Sequence, residues 1–284
     1  MILRHRKIVY IFLIIFSIIF LFQFYWLVIV ALQKNSQLCQ FPPTIWPRKI
    51  TLDNFRALNP GVMLRWIGNS TIVALGATLF NCLFSALAGY SLARLNLPMN
   101  KTILAIMLIS AIIPAQVFLI PRFIIVANKL RLYDSLLGMV LPFTFGPFSV
   151  YMVRQYCLSL SQEVLDAGRI DGASELRLFW HIVLPYLKPI LAAVAILWFS
   201  TVWDSFMWQS VMVSSVEKMT APVGLSLLGR PEAETALTGA VTWGLRQSFG
   251  VQPAAGLVLG LPTCVLFLVL QRYFIQSGFI GGMR

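Results

Sequence analysis

The sequence is poor in charge. Asp, Glu, Lys and Arg make up 11% of its 284 residues, against about 25% in an ordinary soluble domain. Acids are the scarcest: ten Asp and Glu stand against 22 Lys and Arg, for a net charge of +12. There are two histidines, His5 and His181, and four cysteines, Cys39, Cys82, Cys157 and Cys264, none in a C-x-x-C pair. A metal site or disulfide framework is therefore unsupported. Cys82 and Cys264 lie inside apolar runs and read as small packing residues. No G-x-x-x-x-G-K-[ST] occurs, which argues against an ATPase. No nucleophile–base pair supports an intramembrane enzyme.

What is abundant is apolar sequence, 58% of the chain, gathered in long runs with the charges clustered between them. That pattern places the chain among integral membrane proteins. The Lys and Arg residues then read as membrane-flanking charge in contact with a lipid bilayer, and no nucleic-acid surface is expected.

Six runs are candidate spans. The first, Ile8–Leu32, has 25 residues, longer than the roughly 7–15 of a signal peptide's apolar core, and no small-x-small cleavage site follows. It reads as an uncleaved span. Gln33–Trp66, with Pro42, Pro43, Pro47 and Pro60, reads as an external loop. The other runs are about Ile67–Ala93, Thr102–Ile120 with Pro114, Ser135–Val153 with Pro142 and Pro147, Ile190–Val213, and Ala254–Ile275 with Pro262. The prolines suggest kinks, near a pathway or simply in packing. In the second run Ala77, Asn81, Ser85 and Gly89 form a small, weakly polar stripe that suits close helix packing, with a pathway-lining face as the alternative. The fold class that results is an all-α membrane protein with six transmembrane helices. Residues 1–65 hold the N-terminus, first helix and external loop; residues 66–284 hold five helices.

Orientation follows from positive charge near the spans. Overall the count is even: with the N-terminus inside, eleven Lys and Arg lie on each side. Locally, Arg4, Arg6 and Lys7 precede the first span and only Lys34 closely follows it. Both termini are expected on the cytoplasmic side.

The most informative stretch lies in the polar connection 155–189. Ser161 can cap a short helix with Glu163 in its first turn. Gly172 permits a tight turn, and Ser174 can cap a second helix. There Leu176, Phe179, Trp180 and Val183 recur at helical spacing, and Pro185 ends the pattern. From periodicity alone this is a helix–turn–helix at the membrane surface. It suits either an ordinary surface loop or a short helix docking in a groove of a soluble partner.

The residues themselves resemble the EAA loop of ABC-importer permeases, in particular the second permease subunit of the maltose-type carbohydrate uptake family. Asp166, Ala167 and Gly168 occupy the EAA positions. Arg169, Ile170, Asp171, Gly172, Ala173 and Ser174 match in full, as do Ile182, Leu184 and Pro185 at the close. The similarity continues through Trp203–Phe206, Ala221–Gly224 and Gln271–Phe274, and covers roughly residues 66–284.

The resemblance implies a type I ABC importer permease fold in the bacterial plasma (inner) membrane. It implies four kinds of partner: a second homologous permease, a dimer of ATPase subunits, an extracytoplasmic solute-binding protein and the bilayer. ATP and Mg belong to the partner ATPase, and no cofactor is expected on this chain. Glu163, Asp166, Ala167, Gly168, Arg169, Asp171, Gly172 and Ala173 are the residues expected to couple to the ATPase, with the Ser174–Leu184 helix packing back on the bundle. The implied cargo is a sugar or oligosaccharide, with glycerol phosphate-type or other polyol substrates as the alternative.

Three departures stand out. Aspartate replaces the motif's glutamate, and glycine its last alanine, which weakens a helix by about 0.5–1 kcal/mol and suggests an earlier helix end or a different docking angle. Ser161 replaces a preceding proline. In the fifth span the usual W-N-D-F reads Trp203-Asp204-Ser205-Phe206, which rotates the carboxylate by about 100°. Asp204 is the one ionisable residue deep in an expected span. With Trp203 and Trp208 it is a candidate for a sugar path, or else a packing carboxylate at the subunit interface. A secondary transporter using Asp204 is the remaining alternative class, against which stand the absence of an internal repeat and the full Arg169–Ser174 match.

Overall fold

The computed structural model describes residues 2–38, 40–42, 44–95, 97–228 and 249–276. Among them every regular element is helical. The chain divides into two compact units, Met1–Arg65 with Gly224–Leu261, and Trp66–Val223 with Pro262–Arg284.

In the first unit the initial apolar run forms one helix, Ile2–Leu32. Its Val9–Leu32 stretch has a mean hydropathy of 2.6, and only 6% of its most apolar window is buried. An apolar surface exposed all round suits lipid rather than a protein core. A helix end leaves carbonyls without partners. Here Asn54 Nδ2 donates to Ala31 O at 2.9 Å and Gln33 O at 2.8 Å, and Thr51 N donates to Leu32 O at 2.9 Å. The expected external loop therefore has structure of its own, including the short helices Asn35–Leu38 and Asp53–Arg56.

The second long helix runs from Pro60 to Arg94, not from Ile67. Asn59 Oδ1 accepts hydrogen bonds from Gly61 N at 3.0 Å and Val62 N at 3.3 Å. Pro60 sits where no backbone N–H is needed, so Asn59–Pro60 is a start signal. At about 1.5 Å per residue, its 35 residues outrun a hydrocarbon core of about 30 Å.

In the second unit the small stripe of this helix is a packing face. Ala77, Asn81 and Ser85 are fully buried. A Cβ on Gly89 would lie 2.8 Å from Val153 Cγ1 and 3.0 Å from Arg154 N, so the glycine is what lets helix Pro147–Cys157 approach.

At Pro114 and before Pro147 the expected kinks are outright breaks, whereas Pro262 sits inside a continuous helix. Ile113 and Pro114 are extended, and the arms Asn100–Ile112 and Ala115–Lys129 meet at 95°. The second arm continues through a π turn to Lys129, past the expected end at Ile120. Leu136–Phe143 and Pro147–Cys157 meet at 46°. Trp198 Nε1 donates to Phe143 O at 2.7 Å at that break, and Gly146 leaves room for its ring. A proline removes one N–H and clashes with the preceding turn, so the freed carbonyls must find side-chain partners.

The expected fifth span, Ile190–Val213, is not one helix. Glu175–Tyr186 and Lys188–Trp203 meet at 73°, and residues Asp204–Phe206 separate the latter from helix Met207–Met212. Gln209 Nε2 donates to Val202 O at 2.9 Å across this interruption. Among the described residues there are two unbroken and three bent candidate spans, and Val251–Gln276 adds a further apolar helix with Pro262 inside it. Cys39, Arg284 and residues 229–248 of the long connection after Ser214 lie outside the described residues.

That connection begins with a tight clasp. Asp134 takes a left-handed φ of 52°, and its Oδ1 accepts from Ser214 N at 2.9 Å and Ser215 N at 3.0 Å. Its Oδ2 accepts from Ser215 Oγ at 2.6 Å and Lys218 Nζ at 2.9 Å. Trp66 Nε1 donates to Val216 O at 2.9 Å on the same segment. Desolvation pushes the Asp134 carboxyl up. The hydrogen bonds from Ser215, Lys218 and Ser214 outweigh it and hold the group well below the ordinary carboxylate value. A depressed folded-state value means that the clasp contributes stability above the unfolded value of about 3.9 and loses it as pH falls through the folded value. Asp134→Asn should lower stability at pH 7 by about 1.5–3 kcal/mol, the scale of hydrogen bonds to a charge. Thermal unfolding in detergent checks this: the gap between wild type and variant should narrow as pH drops below about 4.

Candidate functional site

The sequence motif folds into a short helix, Gln162–Ile170, a turn, and a second helical segment from Glu175. Ser161 holds the N-cap position with extended backbone, but its side chain makes no capping bond, contrary to expectation. Ser174 does cap its helix, with Arg177 N donating to its Oγ at 3.4 Å.

The turn explains the residues at Asp171–Ala173. Gly172 has φ +81°, open to glycine and strained for other residues. Gly172 N donates to Arg169 O and Ala173 N to Gly168 O, both at 3.0 Å, a Schellman closure. Gly168 does not end the helix early. A Cβ there would run into Leu178 Cδ2, so the glycine is the space in which Leu178 seats the helix.

The helix has two faces. Leu165 is fully buried, within a core cluster that includes Tyr90, Val153, Phe179 and Val183. Val164, Ala167 and Ile170 point outward, with Ile170 86% exposed. Glu163 and Asp171 flank this outward face and are exposed too. The arrangement offers a protein partner a small apolar ridge with acidic edges.

On the inward side lies a polar ring. Arg169 Nη1 donates to Asp166 Oδ1 and Arg169 Nε to Glu175 Oε1, each at 2.8 Å. Tyr90 Oη donates to Glu175 Oε2 at 2.6 Å. Gln162 Nε2 donates to Asp166 Oδ1 at 3.0 Å, and Arg94 Nη1 to Gln162 Oε1 at 3.2 Å. Arg94 also donates to the carbonyls of Cys157, Leu158 and Leu160. Glu175 and then Asp166 stabilise the charged Arg169, raising it above its ordinary range. Such exposed pairs contribute only about 0–1 kcal/mol each, so the ring fixes geometry more than it stabilises. Sequence reading singled out Asp166 and Arg169 but missed Tyr90, Arg94, Gln162 and Glu175. Tyr90 and Arg94 lie one turn apart on one helix face, a signal that only the loop's folding back makes readable.

The segment after Ser174 packs inward through only half of the expected face, Phe179 and Val183. Leu178, Phe179, Val183 and Leu187 are buried, whereas Leu176 and Trp180 are exposed. A π turn at Phe179–Val183 shifts the register. Pro185 does not stop the helix, which runs to Tyr186 before the bend.

The second set of candidates is dispersed. Asp204 is not deep inside a helix but caps the C-terminus of Lys188–Trp203, where it is exposed. Trp203 and Trp208 are each 3% exposed. Trp203 stacks on Phe199 at 5.5 Å between ring centroids, and Trp208 Nε1 donates to Gly138 O at 3.3 Å. Arg122 lies over Trp208, 5.8 Å from the ring centroid, beside a cavity of about 310 Å³ lined also by Phe118, Pro121 and Leu141. Among the described residues it pairs with no carboxylate. Sequence reading missed Arg122 because it ended the third span two residues earlier.

Apolar helices bent in pairs, with a helix–turn–helix held against the bundle, define a helical membrane protein. The chain belongs to the family of binding-protein-dependent transport system inner membrane components, whose family model matches residues 83–277. It is 30% identical over 277 residues to the arabinooligosaccharides transport system permease protein AraQ of Bacillus subtilis, covering 96% of this chain and 94% of that one. It is 29% identical over 238 residues to the maltodextrin transport system permease protein MdxG of Bacillus subtilis, covering 82% and 81%. It is also 29% identical over 280 residues to the sn-glycerol-3-phosphate transport system permease protein UgpE of Yersinia pestis, covering 94% of each. The fold matches one chain of a crystal structure of a bacterial ABC transporter involved in the import of the acidic polysaccharide alginate, with a TM-score of 0.79, 22% identity, and coverage of 95% and 97%. The fold is thus that of an ABC importer permease.

Proposed function

We propose that this chain is the membrane-spanning permease subunit of a binding-protein-dependent ABC importer for an oligosaccharide, sited in a bacterial plasma membrane with both termini cytoplasmic. ATP is hydrolysed on a separate ATPase dimer. A second permease subunit completes the pathway, and an extracytoplasmic binding protein delivers the solute. The observation that carries this reading is the outward ridge of Val164, Ala167 and Ile170 on a helix closed by Gly172 and fastened by Arg169. Such a ridge fits a groove on a soluble partner. ATP-driven closure of that partner then moves the ridge, and the spans behind it switch the side to which the pathway opens.

The names of AraQ and MdxG support an oligosaccharide as cargo. A glycerol phosphate-type substrate is the second reading, supported by the likeness to UgpE and by Arg122, a cation beside a cavity in a broken apolar span. Asp204, open beside the helix break, is the group proposed to meet the solute, and Trp203 and Trp208 act behind it as packing.

Co-purification of the ATPase should be lost with both Gly172→Pro and Asp166→Lys; retained capture and transport in both variants would contradict the docking assignment. Asp204→Asn should change solute uptake while leaving assembly intact, and unchanged uptake would remove Asp204 from the pathway.

A further inference from the structure

The polar ring behind the docking helix closes on itself, and that closure carries a role for a residue outside the motif. Followed round, it runs from Tyr90 to Glu175, Arg169, Asp166, Gln162 and Arg94. Both ends belong to one helix, Pro60–Arg94, one turn apart. The apolar contacts beneath, Leu165 and the Gly168–Leu178 seat, carry no directional preference of the kind hydrogen bonds have. Hydrogen bonds weaken steeply off axis. Two such attachments on one helix hold the docking helix against rotation, where one would let it pivot.

The Tyr90 end is the more telling. Its ring is 3% exposed and lies 5.9 Å, centroid to centroid, from Phe179 in the core. A phenylalanine would pack there equally well. The hydroxyl is needed for Glu175 alone, and Glu175 opens the segment Glu175–Tyr186 that bends into Lys188–Trp203. One hydroxyl therefore joins a long span, the start of another and, through Arg169, the docking helix.

We propose that Tyr90 is a positioning residue that converts movement of the docking helix into movement of the spans, so that its hydroxyl sets how much solute is carried per ATP hydrolysed. The proposal rests on the permease reading above and names the route of coupling within it. Tyr90 touches neither the ATPase nor the solute; it acts through Glu175 and Arg169.

The test is a reconstituted complex in liposomes with its ATPase and binding protein, measuring solute uptake and ATP hydrolysis together. Tyr90→Phe should still assemble and hydrolyse ATP, while solute carried per ATP falls about ten-fold, the scale of losing one hydrogen bond to a charged acceptor. Glu175→Gln should lower the same ratio, and the double variant should fall no further than the deeper single one. An unchanged ratio overturns the proposal. So does a parallel fall of hydrolysis and uptake, which marks a merely structural role, or single losses that multiply in the double variant. If Tyr90→Phe does not assemble, the ratio for Glu175→Gln decides alone. Failure of the wild-type chain to capture the ATPase overturns instead the function proposed above and is recognised by that capture step.

Discussion

The loop's architecture depends on Arg169 standing between Asp166 and Glu175. One acid belongs to the Gln162–Ile170 helix, the other to the segment leading back into the bundle. With its guanidinium committed to both, Arg169 sets the angle between the two helices, and Gly172 makes that angle attainable. Neither pair contributes much stability, since both are partly solvated. Their value lies in direction: a fork of fixed geometry between two carboxylates permits few relative orientations.

From this follows the division of labour along the chain. The bundle side of the loop is apolar and tightly seated, with Leu165 and Leu178 fully or almost fully buried and Gly168 giving way to Leu178. The far side keeps Val164 and Ile170 in the open. Breaks in the spans are handled differently. Trp198, Gln209 and Asp134 hydrogen-bond to backbone groups beside the interruptions. Irregular backbone at those points is affordable because each has a polar side chain assigned to it.

Much of this was legible in the sequence. The apolar runs announced a helical membrane protein, and Arg169–Ser174 announced the loop and its turn. What stayed hidden depends on contacts between distant segments. Asn59–Pro60 moved a helix start outward through a cap. Pro114 read as a kink and is a 95° break, because local pattern does not tell how far the next arm travels. Gly168 looked like a weak helix residue and is a seat for Leu178, a partner ten positions on. Asp204 looked like a mid-helix residue on the assumption of one continuous helix; the break at Asp204–Phe206 places it at a helix end instead. Tyr90 and Arg94 gave no signal by themselves, since their partners are about 70 or more residues away along the chain.

The central claim is that the outward ridge of the Gln162–Ile170 helix is the surface on which the ATPase sits. Photo-cross-linking tests it most directly, with benzoylphenylalanine placed at Ile170 in the assembled complex and, as a control, at Phe41 on the expected external side. The account predicts a covalent product with the ATPase from position 170 and none from position 41. No ATPase product from position 170, or equal yields from both positions, would contradict it.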